Sequence, residues 1–374
     1  MGSSQLLAPL LLAPLLLAVA CGGSDPAPSP AGSPGPAPTA APGPAQGPGS
    51  GIDAPALAQR AGGVFAPLPD YVTRGDEARS EPMIDLGRML YFDPRMSLSQ
   101  DLSCNSCHLL DKGGVDGEPT SPGHEGVRGS RNSPTVYNAA LHVAQFWDGR
   151  EPDVEAQALG PVLNPVEMAM GSGDDVVAKL KAVPSYVAAF EAAFPDQPDP
   201  ITFANFGRAI GAFERGLLTP SPFDAFLKGD HTAMSTQQMQ GLQTYLEVGC
   251  TTCHNGAAVG GAAFFKLGLV KPYETADVGR FEVTGDEADR QVFKVPSLRN
   301  VTRTGPYFHD GSVTGLDQAV KLMGTHQLGR DLTDQQVGEI IAFLDALTGT
   351  PDPAYIAKPE LPEAGPSFPA PEAG

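Results

Sequence analysis

The chain has 374 residues, of which 24 are Lys or Arg and 43 are Asp or Glu, so its formal net charge is −19. This length predicts two domains of the ordinary size of about 100–200 residues. A pI near 4.6 excludes a nucleic-acid-binding protein, because binding to phosphates requires clustered basic residues. The same acidic balance favours a neutral or basic partner.

The N-terminus has the pattern of an export signal. Residues 6–20 form an apolar run that is shorter than the ~20 residues of a membrane-spanning helix, and it ends in small residues. We therefore expect residues 1–20 to be a signal peptide and the protein to be periplasmic. Cys21, followed by Gly-Gly-Ser, resembles the start of a bacterial lipoprotein. A lipid on Cys21 is the predicted membrane anchor, and plain cleavage beside an incidental Cys21 is the alternative.

Two further segments are rich in Pro, Ala and Gly. Residues 21–63 are predicted to be a disordered linker, because such a composition buries too little apolar surface to fold. Residues 351–374 are predicted to be an irregular Pro-rich tail. The body between them is expected to contain two modules, residues 64–220 and residues 221–350, with the boundary where two prolines interrupt a helical pattern.

Helical patterns dominate this body. Residues 81–92 carry apolar side chains at helical spacing, and the sequences at 235–238 and 333–336 are capping boxes that each predict the start of a helix. Gly349 is placed as the C-terminal stop of the last of these helices. Because strand-like alternation is scarce, the predicted fold class is mostly α.

Four of the five cysteines lie in two C-x-x-C-H motifs. The motifs consist of Cys104, Cys107 and His108, and of Cys250, Cys253 and His254. This spacing is typical of c-type haem attachment, in which two thiols bond the haem vinyl groups and the histidine ligates the iron. A redox-active cysteine pair and a zinc site are the alternatives, but neither explains a histidine at the same place in both motifs. The motifs therefore predict two covalently bound haem c groups.

Several further motifs occur in the order found in one protein family. They are residues 131–140, 145–150, 157–167, 295–300, 306–311 and 322–324. With the two haem motifs, they make the chain resemble the bacterial dihaem cytochrome c peroxidases from about residue 85 to residue 347. The resemblance implies two cytochrome-c-like haem domains, hydrogen peroxide as substrate, and a small cytochrome c or cupredoxin as electron donor. Members of the family are commonly homodimers.

The resemblance also implies roles for single residues. His124 corresponds to the distal, switchable ligand of the N-terminal haem iron, and Met323 to the second axial ligand of the C-terminal haem iron. Glu167 corresponds to the catalytic acid/base, which would take a proton from the bound peroxide and return it to the leaving oxygen. Gln157 is its companion, and Trp147 lies between the two haems. In this scheme electrons enter at the C-terminal haem and peroxide reacts at the N-terminal haem.

A calcium site is implied in the same way. It would use the side chain of Asn132 and the backbone carbonyls of Thr304 and Pro306, which is a ligand set suited to a hard cation. His309 is expected to be buried and hydrogen-bonded near the haems, whereas His142 is expected at the surface.

Two other functions are weighed against the peroxidase. In the MauG-type group, which oxidises residues of a protein substrate, tyrosine replaces the methionine ligand and the distal histidine is absent, so Met323 and His124 argue against it. A dihaem electron carrier would have no need of Glu167, of Gln157 or of a histidine in a loop at the sixth position.

Overall fold

The computed structural model describes residues 51–371, within which the chain forms fourteen α-helices and one two-stranded sheet. The helices are α1 Ala54–Gly62, α2 Glu81–Phe92, α3 Cys104–Cys107, α4 Val154–Gln157, α5 Gly160–Leu163, α6 Gly173–Lys181, α7 Pro184–Ala193, α8 Phe203–Glu214, α9 Pro222–Leu227, α10 Thr236–Val248, α11 Phe281–Thr284, α12 Leu316–Leu328, α13 Asp334–Ala346 and α14 Pro353–Ile356. The strands, β1 Phe264–Lys266 and β2 Val292–Lys294, pair antiparallel with Phe265 opposite Phe293. The predicted mostly α fold is confirmed.

The local sequence signals place the longer helices correctly. Helix α2 covers the predicted residues 81–92. Both predicted capping boxes are formed: Ser235 and Gln238 bond each other's backbone at the start of α10, as do Thr333 and Gln336 at the start of α13. Helix α13 ends at Ala346, three residues before the predicted stop at Gly349.

No helix between residues 51 and 371 is long and apolar enough to cross a membrane. The predicted signal peptide and the predicted lipid attachment at Cys21 lie outside the described residues.

The buried apolar side chains form two clusters. The first cluster contains buried residues between Ile84 and Leu217, and it is built around α2, α7 and α8. The second cluster contains buried residues between Phe223 and Leu347, and it is built around α10 and α13. The change from one cluster to the other falls at residues 218–222, within the stretch where the sequence predicts a module boundary.

The two ends of the described chain cross between these clusters. Helix α1 packs in the second cluster through Leu57 and Ala61. The prediction that residues 21–63 form a disordered linker is therefore wrong for residues 54–62, which form this helix. Residues 54–62 form a helix because Asp53 caps its N-terminus and because its apolar face packs against residues of the second cluster, which are distant in sequence. The C-terminal tail instead packs on the first cluster, through residues that include Tyr355 and Phe368. It is irregular as predicted, apart from α14.

A common pattern links each main helix crossing to a haem motif. Gly87 in α2 lies against the backbone of α8, where an added Cβ would stand 1.9 Å from the carbonyl oxygen of Ala209. Gly241 in α10 lies in the same way against α13. Four residues after each glycine is a buried tyrosine, Tyr91 or Tyr245. The glycine therefore allows the close crossing, and the tyrosine one turn later faces the following motif.

We expect Gly241→Ala to lower the free energy of unfolding by about 1–3 kcal/mol, because the new methyl group overpacks the crossing. Its Cβ would lie 2.0 Å from the carbonyl oxygen of Glu339, a backbone atom that cannot move without shifting α13. The control is Gly338→Ala on the exposed face of α13, where an added Cβ meets no atom within 4 Å. That variant should gain about 0.4–1 kcal/mol. Urea denaturation of the two holoproteins measures both values, and equal effects would contradict the crossing argument.

Candidate active site and haem-binding cavity

The second C-x-x-C-H motif opens into a large apolar cavity. Gly249, in the left-handed conformation at φ +100°, ends α10 and turns the chain into the motif. The two cysteines and the histidine of this motif, together with Met323 on α12, line the same cavity. The structure therefore brings together all the residues predicted to attach and ligate the C-terminal haem.

His254 is held in a fixed orientation. Its Nδ1 lies 3.2 Å from the carbonyl oxygen of Pro296, and Tyr245 donates its hydroxyl hydrogen to the carbonyl oxygen of His254 at 3.3 Å. Burial lowers the pKa of His254 to about 4, so the ring is neutral at physiological pH. A neutral ring with its Nδ1 hydrogen committed to a carbonyl leaves Nε2 as the lone-pair donor, which is the arrangement of a metal-ligating histidine.

The first C-x-x-C-H motif is built in the same way. Helix α3 consists of the motif itself, and His108 follows as its C-cap. Tyr91 donates its hydroxyl hydrogen to the carbonyl oxygen of His108 at 2.7 Å, the counterpart of the Tyr245 contact. Burial lowers the pKa of His108, and hydrogen bonding to the backbone of Gly114 and Pro134 raises it by a smaller amount. His108 is therefore also a half-buried, neutral ligand candidate.

The thiols of both motifs are unpaired and suited to attachment rather than to redox exchange. Burial raises the pKa of Cys250 to about 12 and raises the pKa of the other three thiols as well. A redox-active pair has a lowered thiol pKa instead. In the described part of the chain no group of three or more His, Cys, Asp and Glu side chains is placed to hold a metal ion, so the two pairs form no common zinc site.

Glu167 and His124 lie together beside the first motif. The backbone N–H of His124 donates to the carbonyl oxygen of Glu167 at 2.8 Å, and the His124 Nδ1 lies 3.3 Å from the hydroxyl of Ser99. The Glu167 carboxylate is close enough to Cys107 to raise the pKa of that thiol. Burial raises the pKa of Glu167 itself, and the positive charge of Arg150 partly offsets this effect. The predicted acid/base and the predicted distal ligand therefore share one site with the motif that contains Cys107.

Gln157 is less closely connected. It is the last residue of α4 and is half-buried, and nine residues of chain separate it from Glu167. Among the residues that the structure describes, no hydrogen bond joins the Gln157 side chain to Glu167 or to His124. Its predicted role beside Glu167 stays a prediction.

Trp147 lines the cavity of the second motif and is bonded to the first half of the chain. Its indole N–H donates to the carbonyl oxygen of Asn132 at 2.9 Å. Its ring meets the ring of His309 edge to face at 6.5 Å between centroids. His309 is buried and its Nε2 lies 3.0 Å from the hydroxyl of Thr275, as the sequence analysis expects.

The three predicted calcium ligands lie around one cavity wall. Asn132, Thr304 and Pro306 all line the cavity described above. The side-chain NH₂ group of Asn132 donates to the carbonyl oxygens of Glu118 and Pro119. The side-chain Oδ1 of Asn132 therefore stays available as a ligand. The binding of calcium by these residues stays a prediction.

The predicted position of His142 was also wrong. It is expected at the surface, yet it is half-buried in the cavity wall, with its ring against Gly261 and its Nε2 fully buried. Its Nδ1 lies 3.1 Å from the ammonium group of Lys294, a residue of β2 that is 6% exposed. Sequence reasoning missed Lys294 as well, although a lysine within the otherwise apolar stretch of residues 292–295 was a signal for it.

The residues present fit a c-type haem in the cavity of the second motif. The cavity has about 1740 Å³ of empty space, its open mouth included, and its walls are mostly apolar. Two unpaired thiols, a neutral histidine with an oriented ring and a thioether sulphur face this space. The first motif repeats the thiols, the histidine and the supporting tyrosine.

The fold and the site together define a class of proteins. Members of this class have a mostly helical fold that contains two c-type haem attachment motifs. Residues 81–232 match the sequence model of the family described as "Di-haem cytochrome c peroxidase". The chain is 47% identical over 304 residues to cytochrome c551 peroxidase of Pseudomonas aeruginosa, covering 79% of this chain and 87% of the relative. It is 45% identical to cytochrome c551 peroxidase of Nitrosomonas europaea, covering 79% and 88%. The chain therefore belongs to the dihaem cytochrome c peroxidase family, and this membership implies two c-type haems.

A solved structure supports the same assignment. The crystal structure of a MauG-like protein associated with microbial copper homeostasis superposes with a TM-score of 0.70 at 29% identity, covering 78% of this chain and 97% of that one. The identities of 45–47% are to proteins named as peroxidases, which agrees with the predicted peroxidase branch.

Proposed function

We propose that this protein reduces hydrogen peroxide to two molecules of water, using two protons and two electrons from a small cytochrome c or a copper protein. The observation that carries the proposal is the position of Glu167, which is half-buried, bonded through its backbone to His124, and near enough to Cys107 for its charge to raise the pKa of that thiol. A carboxylate in that place can accept a proton from the oxygen of peroxide that is bound, and return it to the oxygen that leaves. Two relatives named as cytochrome c551 peroxidases support the same function.

The chain's own residues divide this work between the two motifs. His108 would ligate a haem iron, and that haem would supply the redox chemistry for peroxide reduction. Glu167 moves the proton, and the positive charge of Arg150 favours the ionised form of Glu167 that accepts it. Electrons enter at the second motif, where Met323 provides a thioether ligand, a ligand type that raises the reduction potential. Trp147, bonded to Asn132 and packed beside His309, lies on the path between the two motifs.

His124 controls access to the reactive site in this proposal. It belongs to a short 3₁₀ turn, His124–Gly126, in which Glu125 has a φ of +55°. The backbone N–H of His124 holds the turn to the Glu167 segment, and the turn contributes no residue to either buried apolar cluster, so it can move without disrupting a core. His124 would serve as a switchable ligand of the haem held by His108, and Asn132, Thr304 and Pro306 would hold a calcium ion that supports the switch.

Turnover is therefore expected only after half-reduction, and His124→Gly should remove that requirement. The experiment measures peroxide turnover with a reduced small cytochrome c, in calcium, for fully oxidised and for half-reduced holoenzyme. EPR spectra of both samples should show a new high-spin signal only in half-reduced wild type, and in both samples of the variant. His231→Gln, a histidine packed on Phe226 in the second cluster, is the control and should behave as wild type. Absence of turnover in every sample would refute the peroxidase.

The location and assembly are part of the same proposal. We infer a periplasmic protein with a lipid on Cys21, and a homodimer as the assembly. The apolar run at residues 6–20 and the Cys-Gly-Gly-Ser sequence support the first two statements. Mass spectrometry of the mature N-terminus tests them directly, since an acylated Cys21 adds several hundred daltons. The net charge of −19 favours a basic electron donor.

A further inference from the structure

The wall of the second-motif cavity contains a single charged side chain. Of the residues that line the cavity in the described part of the chain, Lys294 is the only Asp, Glu, Lys or Arg. It lies on β2 opposite Phe264, and its backbone N–H donates to the carbonyl oxygen of Trp147 at 2.8 Å. The strand thus holds its Cα in place, and the side chain reaches into an apolar space.

Lys294 has no acidic partner to balance its charge. Between residues 51 and 371 no carboxylate oxygen lies within 4.0 Å of its ammonium nitrogen, and its side-chain hydrogen bond is to the Nδ1 of His142. Burial lowers the pKa of Lys294 to about 8, so at neutral pH most of the protein carries the charge. A buried ammonium group without an anion is costly, and proteins rarely retain one unless a partner completes the site.

His142 presents a second donor at the same place. Its Nδ1 accepts a hydrogen from the Lys294 ammonium, so in the neutral ring the hydrogen is on Nε2. That Nε2 is fully buried and has no hydrogen-bond partner among the described residues. Gly261, at φ +74°, leaves space for the His142 ring, because a Cβ at this position would overlap the ring carbons. In the cavity wall the ammonium group therefore has only a neutral acceptor, His142 Nδ1, and the imidazole N–H has no acceptor among the described residues.

We infer that Lys294 and His142 form the binding site for a carboxylate group of the C-terminal haem. A c-type haem carries two carboxylates, and this apolar cavity offers one cationic position to receive a negative charge. An ammonium–carboxylate bond is charge-assisted and is strong where water is excluded. The inference rests on the two haems of the proposed function, but it is independent of peroxide turnover.

The electrostatic consequence gives the test. A positive charge fixed near the iron favours the reduced state, and the carboxylate it pairs with stays ionised. In Lys294→Met holoprotein at pH 8, the midpoint potential of the C-terminal haem should fall by about 59 mV. For a one-electron couple this shift corresponds to a tenfold change in the ratio of oxidised to reduced protein. Lys294→Arg should stay close to wild type.

Lys266→Met is the matched control. Lys266 lies at the end of β1 in the same two-stranded sheet, but its side chain is exposed, so water screens its charge. Its loss should change the potential by less than a third of the Lys294→Met shift. If Lys294→Met does not give a folded holoprotein, His142→Phe removes both ring nitrogens at similar size, and it should lower the potential in the same direction.

Infrared difference spectra between oxidised and reduced protein identify the partner. At pH 5.5 the unpaired haem carboxylate of Lys294→Met should become protonated and show the C=O band of a carboxylic acid, which wild type and Lys266→Met lack. Since no Asp or Glu among residues 51–371 lines the cavity, such a band cannot come from a lining side chain of that part of the chain. A potential equal to that of Lys266→Met overturns the inference. A lowered potential without the acid band also overturns it, because Lys294 would then act through space alone. Peroxide turnover enters neither readout, so failure of the proposed function would be seen separately.

Discussion

Glu167→Gln is expected to lower kcat for peroxide reduction by about 10²- to 10⁴-fold while both haems stay attached, which is the usual contribution of a positioned general acid/base. Gln has nearly the shape of Glu, but it cannot accept and return a proton. The side chain is half-buried beside Cys107, where burial raises its pKa, and Arg150 and Asn164 act in the opposite direction. These contacts place the carboxyl group close to the attachment site and leave it able to change protonation state.

The comparison variant for this prediction is Glu191→Gln. Glu191 is an exposed residue of α7, a helix that packs in the first cluster, so the substitution removes the same charge without reaching the site. Stopped-flow turnover after half-reduction, with haem content checked by absorbance, measures both variants. Full activity in Glu191→Gln and in Glu167→Gln alike would remove Glu167 from the mechanism and favour an electron carrier.

Asp224→Asn is expected to lower the free energy of unfolding by about 3–5 kcal/mol, because it leaves a buried guanidinium without its counter-charge. Arg299 is completely buried and donates two hydrogen bonds of 2.8 Å to the Asp224 carboxylate. The same carboxylate accepts from the backbone N–H groups of Leu68 and Ser221. Asparagine can replace part of this hydrogen bonding but none of the charge.

The pH dependence of this effect has a definite sign. Burial raises the pKa of Asp224, but the hydrogen bonds and charge of Arg299 outweigh it, so the pKa lies below its ordinary value. A lowered folded-state pKa stabilises the protein above the unfolded pKa of about 3.9, and this stabilisation is lost as the pH falls further. The difference between wild type and Asp224→Asn should therefore be constant near neutral pH and shrink below about pH 4.

Urea denaturation of the holoproteins followed by circular dichroism measures the Asp224 effect. Asp70→Asn serves as the control, since Asp70 is exposed two residues after Leu68, and its change should lie within about 0.5 kcal/mol. A loss in Asp224→Asn no greater than in Asp70→Asn would show that the buried pair contributes little.

The sequence predicts well what depends on local patterns. The span of α2 and the starts of α10 and α13 follow from apolar spacing and from capping residues that interact within four positions. The two haem motifs are likewise local. Resemblance to a family extends this to Met323 and Glu167, whose positions in space depend on the whole fold.

Contacts between distant residues are what the sequence leaves open. Arg131 pairs with Asp148 and also with Asp277, which is 146 residues away, and no periodicity indicates that pairing. The burial of His142 depends on a glycine and a lysine more than a hundred residues later. One signal was available but unused: a glycine followed four residues later by tyrosine precedes both motifs, at Gly87 and at Gly241, and it marks an internal repeat.

The crossing of the chain ends determines how this protein could be recombined with its relatives. A cut at residue 220 would give two fragments that each lack part of their own core, because α1 completes the second cluster and Tyr355 and Phe368 complete the first. A chimera that exchanges the half with the second C-x-x-C-H motif must carry residues 54–65 together with 223–347. A chimera that exchanges the half with the first C-x-x-C-H motif must carry residues 355–368 with 84–217. Each half of the protein is therefore encoded by two separate stretches of the gene, although the residues of each half pack in one buried cluster.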